Sequence, residues 1–125
     1  MIHGIGVDMV EIERMSDSHM KEYVINRLFH PIEIAGIPEQ EQRRKEYLAS
    51  RFAAKEAFVK ALHTGFRAIS PKDIGIISDK LGKPSFVYTD RVTQLLPLNF
   101  SSVHLSISHE KHHAIAFVVV EVKDE

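Results

Sequence analysis

The chain has 125 residues, 44% of them apolar and 26% charged, with a formal net charge of −1, which suits a single soluble globular domain over 1–125. A near-neutral charge excludes bulk attraction to nucleic acid or to a membrane surface, so any basic patch is local. No cysteine is present, which excludes disulfides, thiolate metal sites and cysteine nucleophiles. The longest apolar run, AIAFVVV, is far short of a membrane span, and MIHGIGVD shows no signal-peptide pattern, so a cytoplasmic location is expected.

Residues 2 to 12, IHGIGVDMVEI, read as a first strand in which Ile5, Val7 and Met9 alternate with Gly4, Gly6 and Asp8. The two glycines allow another backbone or a ligand to come close. Asp8 is out of place in a strand. It suits either bonds to nearby backbone N–H groups or a role towards a ligand. GIGVDM is not a dinucleotide fingerprint, because Met9 stands where the third glycine belongs.

Residues 13 to 29 read as a turn and then a helix capped by Asp17 or Ser18, with Met20, Val24, Ile25 and Leu28 as its apolar stripe. Arg14, Lys21 and Arg27 make this stretch basic: ordinary solvated charge, or a docking surface for an acidic partner. His30-Pro31 marks a break and a short helix with Pro31 at its first position, ended by Gly36 and Pro38. Glu39 to Leu62 is helical again. Its front turns, EQEQRRKE, are polar and expected on the surface, and Gly65 is the expected stop.

The second half of this helix, RFAAKEAFVKAL at 51 to 62, carries two polar stripes. At ~100° per residue, Arg51 and Lys55 fall on one side, and Glu56 and Lys60 on nearly the opposite side. A surface helix needs one polar face, so one stripe is expected to face something other than bulk water.

Ile74 to Ser78 and Pro84 to Tyr88 read as a hairpin joined by Asp79-Lys80-Leu81-Gly82. Thr89 or Asp90 caps a helix through Leu96. Ser102 to Ser108 alternates cleanly. Ala114 to Val122 is apolar on both faces, as in a central strand or one in a subunit interface. The expected fold is α+β, in the order β-α-α-α-β-β-α-β-β, with a mainly antiparallel sheet packed on one long helix.

Asp8 and Glu56 are the carboxylates hardest to place. If the long helix packs on the first strand they converge, and two carboxylates with room for water and phosphate oxygens suit Mg²⁺. Lys60, one turn beyond Glu56, then points at the same phosphate. Alternatively, Glu56 and Lys60 form an exposed i,i+4 pair worth roughly 0.3–0.5 kcal/mol. His109 closes the alternating strand at a turn, where phosphate or proton chemistry is accessible. The other seven histidines are expected to be surface or structural. HExxH, GxSxG and P-loop patterns are absent.

GIGVDMVEIER at 4 to 14, RFAAKEAFVKAL followed by Thr64-Gly65, Leu81-Gly82-Lys83-Pro84, and HLSISH at 104 to 109 occur in this order. Together they resemble the holo-acyl-carrier-protein synthases, the short bacterial type of 4′-phosphopantetheinyl transferase. The resemblance implies transfer of the 4′-phosphopantetheine arm of coenzyme A to a serine of apo-acyl carrier protein, releasing adenosine 3′,5′-bisphosphate, in fatty acid biosynthesis. It also implies Mg²⁺ on Asp8 and Glu56, with Lys60 near the phosphates. Arg51, Gly65, Gly82, Lys83, Pro84 and His109 would surround the coenzyme. Arg14 and the basic helix after it would meet the carrier, and the protein would be a homotrimer with active sites at subunit boundaries. Val59, His63 and Glu110 depart from the family's usual residues. The competing readings are a Mg²⁺-dependent nucleotide pyrophosphatase and a non-catalytic trimeric nucleotide-binding module.

Overall fold

The computed structural model describes residues 1–124. Its elements are β1 (Ile2–Glu11), a 3₁₀ turn (Ile12–Met15), α1 (Glu22–Leu28), α2 (Pro31–Ile34), α3 (Glu41–Ala61), a second 3₁₀ turn (Pro71–Asp73), β2 (Ile74–Ser78), β3 (Pro84–Tyr88), α4 (Asp90–Leu95), β4 (Phe100–His109) and β5 (His113–Val122). The expected α+β class and element order hold. The strands divide into two antiparallel sheets, one in the order β1-β5-β4 and the other the β2-β3 hairpin.

α3 lies along the three-stranded sheet, and two glycines set how close it comes. A Cβ on Gly6 would stand 1.9 Å from the Ala57 carbonyl oxygen, and one on Gly4 would stand 2.1 Å from that of Ala61. The helix therefore meets β1 backbone to backbone, with Ala53, Ala57 and Ala61 fully buried. β5 supplies Ala114, Ala116, Val118 and Val120 to the same layer.

The pleat then puts the apolar partners of those glycines outside. Ile5, Val7 and Met9 are 57%, 49% and 58% exposed, and the register sets them beside Val119, Phe117 and Ile115 of β5. The last strand is thus apolar on both faces, as its sequence indicates. One face meets α3 and the other faces outward.

Three local expectations are corrected. Helix α1 begins at Glu22 after Lys21, not at Asp17 or Ser18. Ser16 forms its own turn, its hydroxyl 3.1 Å from that of Ser18 and 2.9 Å from His19 Nδ1. The front of α3 is not wholly exposed, because Lys45 is buried and its Nζ donates to Glu13 at 2.8 Å. The stop of α3 is not Gly65. His63 takes the left-handed turn, with φ +65°, and donates its N–H to the Lys60 carbonyl, while Thr64 N–H donates to Val59. This is a Schellman closure with histidine at the position that favours glycine.

Candidate active site

Neither stripe of α3 is left as bare surface charge: Lys55 is buried, Arg51 and Glu56 are half-buried, and Lys60 is exposed but bonded to β1. On the flank towards β1, Glu56 and Lys60 meet Asp8, which lies two residues past Gly6 on the same face of its strand. Lys60 Nζ donates to Asp8 Oδ1 at 3.2 Å and to the Val7 carbonyl at 3.0 Å. The surface-pair reading therefore fails: Lys60 reaches across to β1. Asp8 accepts this bond from the helix, not the backbone N–H bonds of the structural reading. Burial, and then the neighbouring Asp8 charge, hold the Glu56 carboxyl above its ordinary range. The backbone contact at Gly6 is what crowds these two carboxylates together.

The carboxylates head a cleft of about 440 Å³ whose polar end also carries Arg14. Its opposite wall is apolar, built from Met15, Met20, Leu28 and Phe52. Phe52 stacks on Phe66 at 6.5 Å between centroids. Arg14, Lys21 and Arg27 are exposed on the turn and helix beside this opening.

On the other flank of α3, a second cleft of about 320 Å³ gathers Arg51, Ser78, Gly82, Pro84 and His109. The Arg51 guanidinium lies 3.8 Å over the Tyr47 ring, donates to Ser50 at 3.3 Å, and reaches Ser78 at 3.5 Å. Gly82, at φ +87°, turns the β2-β3 hairpin, and Asp79 Oδ1 accepts from the N–H groups of Leu81 and Lys83, each at 2.9 Å. Lys83 lies with Pro84 on a groove between β3 and β4. Gly65 adopts φ +58° in the open loop after α3.

One chain thus brings Asp8, Glu56, Lys60 and Arg14 together, and separately Arg51, Gly82, Pro84 and His109. Asp8 pairs with Ala116, and Ala116 with Ile107. The two clefts therefore open over opposite outer strands of one sheet, with α3 between them.

Sequence reasoning missed the fate of Lys55 and the part played by Glu33. Both are wholly buried and ion-paired. The signal for Glu33 was its place three residues after His30 at a proline-started helix. His30 Nδ1 accepts from Ile32 N–H at 3.1 Å, and Glu33 accepts from His30 N–H at 3.0 Å, which makes a capping box. Of the departing residues, Val59 is buried in the core. Glu110 folds back, accepting from His112 N–H at 2.9 Å and meeting His113 Nδ1 at 3.0 Å.

Residues 4–118 match the 4′-phosphopantetheinyl transferase superfamily, and the chain belongs to that family of transferases. Within it, the similar proteins are holo-[acyl-carrier-protein] synthases. The synthase of Halothermothrix orenii is 47% identical, over 97% of this chain and 98% of that relative. The crystal structure of the Neisseria meningitidis synthase superposes with a TM-score of 0.87 at 42% identity, covering 97% of this chain and 99% of that one. That of Bacillus anthracis, in complex with CoA (3′,5′-ADP), gives 0.81 at 36% identity, covering 98% and 99%.

Proposed function

We propose that this chain, as one domain, transfers the 4′-phosphopantetheine group of coenzyme A to a serine of apo-acyl carrier protein in the cytoplasm, for fatty acid biosynthesis. The products are holo-acyl carrier protein and adenosine 3′,5′-bisphosphate. The observation that carries this reading is the convergence of Asp8, Glu56 and Lys60 at the head of a cleft, in a chain of this family. No helix among the described residues is long and apolar enough to cross a membrane.

Asp8 and Glu56 fit Mg²⁺. Two crowded carboxylates, one with its carboxyl raised by burial and by its neighbour, are relieved by a hard cation that takes one or two carboxylates and completes its shell with phosphates and water. When bound, Mg²⁺ supplies charge neutralisation at the pyrophosphate. Lys60, held over Asp8, adds a fixed positive charge towards the same oxygens. Phosphoryl transfer asks mainly for such positioning and electrostatics. The nucleophile belongs to the carrier serine, so the chain needs no activated serine or cysteine of its own.

Arg51, Lys83 and His109, with the backbone at Gly65, Gly82 and Pro84, are assigned to the coenzyme. Arg14, Lys21 and Arg27 are assigned to the acidic carrier. The two clefts on opposite flanks of α3, together with the outward apolar residues of β1 and β5, support a homotrimer in which neighbouring subunits complete each other's sites. The test is to incubate the protein with coenzyme A, Mg²⁺ and apo carrier. A phosphopantetheinyl mass gain on the carrier serine is expected. Coenzyme A cleavage that proceeds without carrier would support a pyrophosphatase instead, and binding without turnover a non-catalytic module.

A further inference from the structure

The polar cluster deepest in the chain takes no part in the chemistry above. Lys55 and Glu33 are both 0% exposed. Lys55 Nζ donates to the Glu33 carboxylate, to the Ile74 carbonyl at 2.5 Å and to the Pro71 carbonyl at 3.0 Å. Glu33 also accepts from His30 N–H and from Ile76 N–H, each at 3.0 Å. The three ammonium donors and both carboxylate oxygens are thus used, and three of the partners are backbone groups of residues 71 to 76.

Stability alone does not explain this arrangement. A buried ion pair is often no more stabilising than well-packed apolar residues of the same volume. What hydrogen bonds to backbone add is register. The β2-β3 hairpin needs such a device, because among the described residues it pairs with no third strand. Its apolar contacts with the α3 core are side-chain packing: Phe58 lies on Phe86 at 4.4 Å and on Tyr88 at 5.9 Å between centroids, and Ile74 and Ile76 are buried in the same core. Ring stacks tolerate sliding, whereas bonds to Ile74 and Ile76 do not.

The far end of the same hairpin carries Ser78, Gly82 and Pro84 of the second cleft. Lys55 therefore pins one end of β2, and Arg51, one helical turn earlier, meets its other end at Ser78. Glu56 is the next residue along α3.

We propose that Lys55, with Glu33, is a positioning residue for the coenzyme: the buried pair fixes the register of the β2-β3 hairpin on α3, and so the placement of the coenzyme-binding rim. This rests on the transferase reading for the identity of the ligand. The register argument itself rests on the bonds alone.

The test compares wild type with the double variant Glu33→Gln/Lys55→Met, which removes both charges and nearly preserves volume. Folding is checked by circular dichroism and melting. In the folded variant, KM for coenzyme A should rise about ten-fold or more while kcat and carrier KM stay within about three-fold. Amide exchange of residues 75 to 87 should quicken about ten-fold relative to β5. A KM for coenzyme A within two-fold of wild type (about the precision of such an assay), with hairpin protection unchanged, would overturn the proposal.

If the double variant does not fold, Glu33→Gln alone leaves one acceptor oxygen where the carboxylate has two, so it keeps at most one of the bonds from Ile76 N–H and His30 N–H and weakens the one from Lys55. Faster hairpin exchange than in wild type is expected there, and unchanged exchange also overturns the proposal. If wild type itself transfers nothing, the transferase reading fails, and hairpin exchange still decides the positioning role.

Discussion

Gly6 is the residue whose replacement tests the architecture of the site most directly. An added methyl group would lie 1.9 Å from the Ala57 carbonyl oxygen, with the Ala57 carbonyl carbon at 2.9 Å and Ala61 N at 3.1 Å. All three are backbone atoms, so no side chain can swing away. To reach an ordinary 3.4 Å contact, α3 must recede from β1 by about 1.5 Å. Overpacking of this kind costs about 1–3 kcal/mol. That lowers the melting temperature of a chain this size by roughly 4–12 °C.

The same shift lengthens the 3.2 Å bond between Lys60 and Asp8 and draws Glu56 away from Asp8. Displacement of positioning groups by about 1 Å costs on the order of 10²-fold in rate. Gly6→Ala should therefore melt early and, when assayed well below its melting point, transfer about a hundred-fold more slowly. The measurements are a thermal melt and carrier modification followed by mass spectrometry. A variant that melts within 2 °C of wild type, a shift worth under about 1 kcal/mol, and transfers normally would refute the backbone-contact account.

Three further outcomes are expected. Glu56→Gln should reduce transfer about 10³-fold and yet stabilise the metal-free protein near neutral pH. Since burial and Asp8 raise the folded carboxyl, the native state holds that proton to higher pH than the unfolded chain. Wild-type stability should fall as pH rises from the ordinary glutamate range to the raised value. Chelated samples melted across that range check this, and parallel curves for the two proteins would contradict it. His63→Gly should be more stable than His63→Ala by about 1 kcal/mol, because both lose the ring contact with the His3 carbonyl at 3.2 Å and only glycine relieves the left-handed backbone. Equal melting of the two variants would remove strain as the explanation. Arg27→Glu, outside the carboxylate cleft, should raise carrier KM about ten-fold by reversing one docking charge, with coenzyme KM unchanged; an unaltered carrier KM would end the docking assignment of this residue.

The helical period made the two stripes of α3 legible, and the period of two put Asp8 on the glycine face of β1. Those regularities are local, so they survive without knowledge of packing. Which face of β1 lies inside was not legible. Apolar residues ordinarily go in, but a helix backbone at contact distance leaves room only for the glycines. The partner of Lys55 was equally hidden. Glu33 lies 22 residues away, and neither residue's spacing points to the other. His63 shows a different limit: α3 closes where its hydrogen bonds run out, and the residue there takes a positive φ even though glycine stands two positions later. The separation of Arg51, Gly82, Pro84 and His109 from the carboxylates was hidden too, because it follows from sheet order and not from spacing along the chain.

The outward face of β1 has a thermodynamic consequence. Ile5, Val7, Met9, Ile115 and Phe117 remain between 39% and 58% exposed in the single chain. Covering such a face is favourable in proportion to the apolar area removed from water. When the cover is another copy of the chain, unfolding becomes a mass-action process whose midpoint shifts with protein concentration. The same pleat that lets α3 approach Asp8 thereby ties the durability of the site to how much of the protein is present.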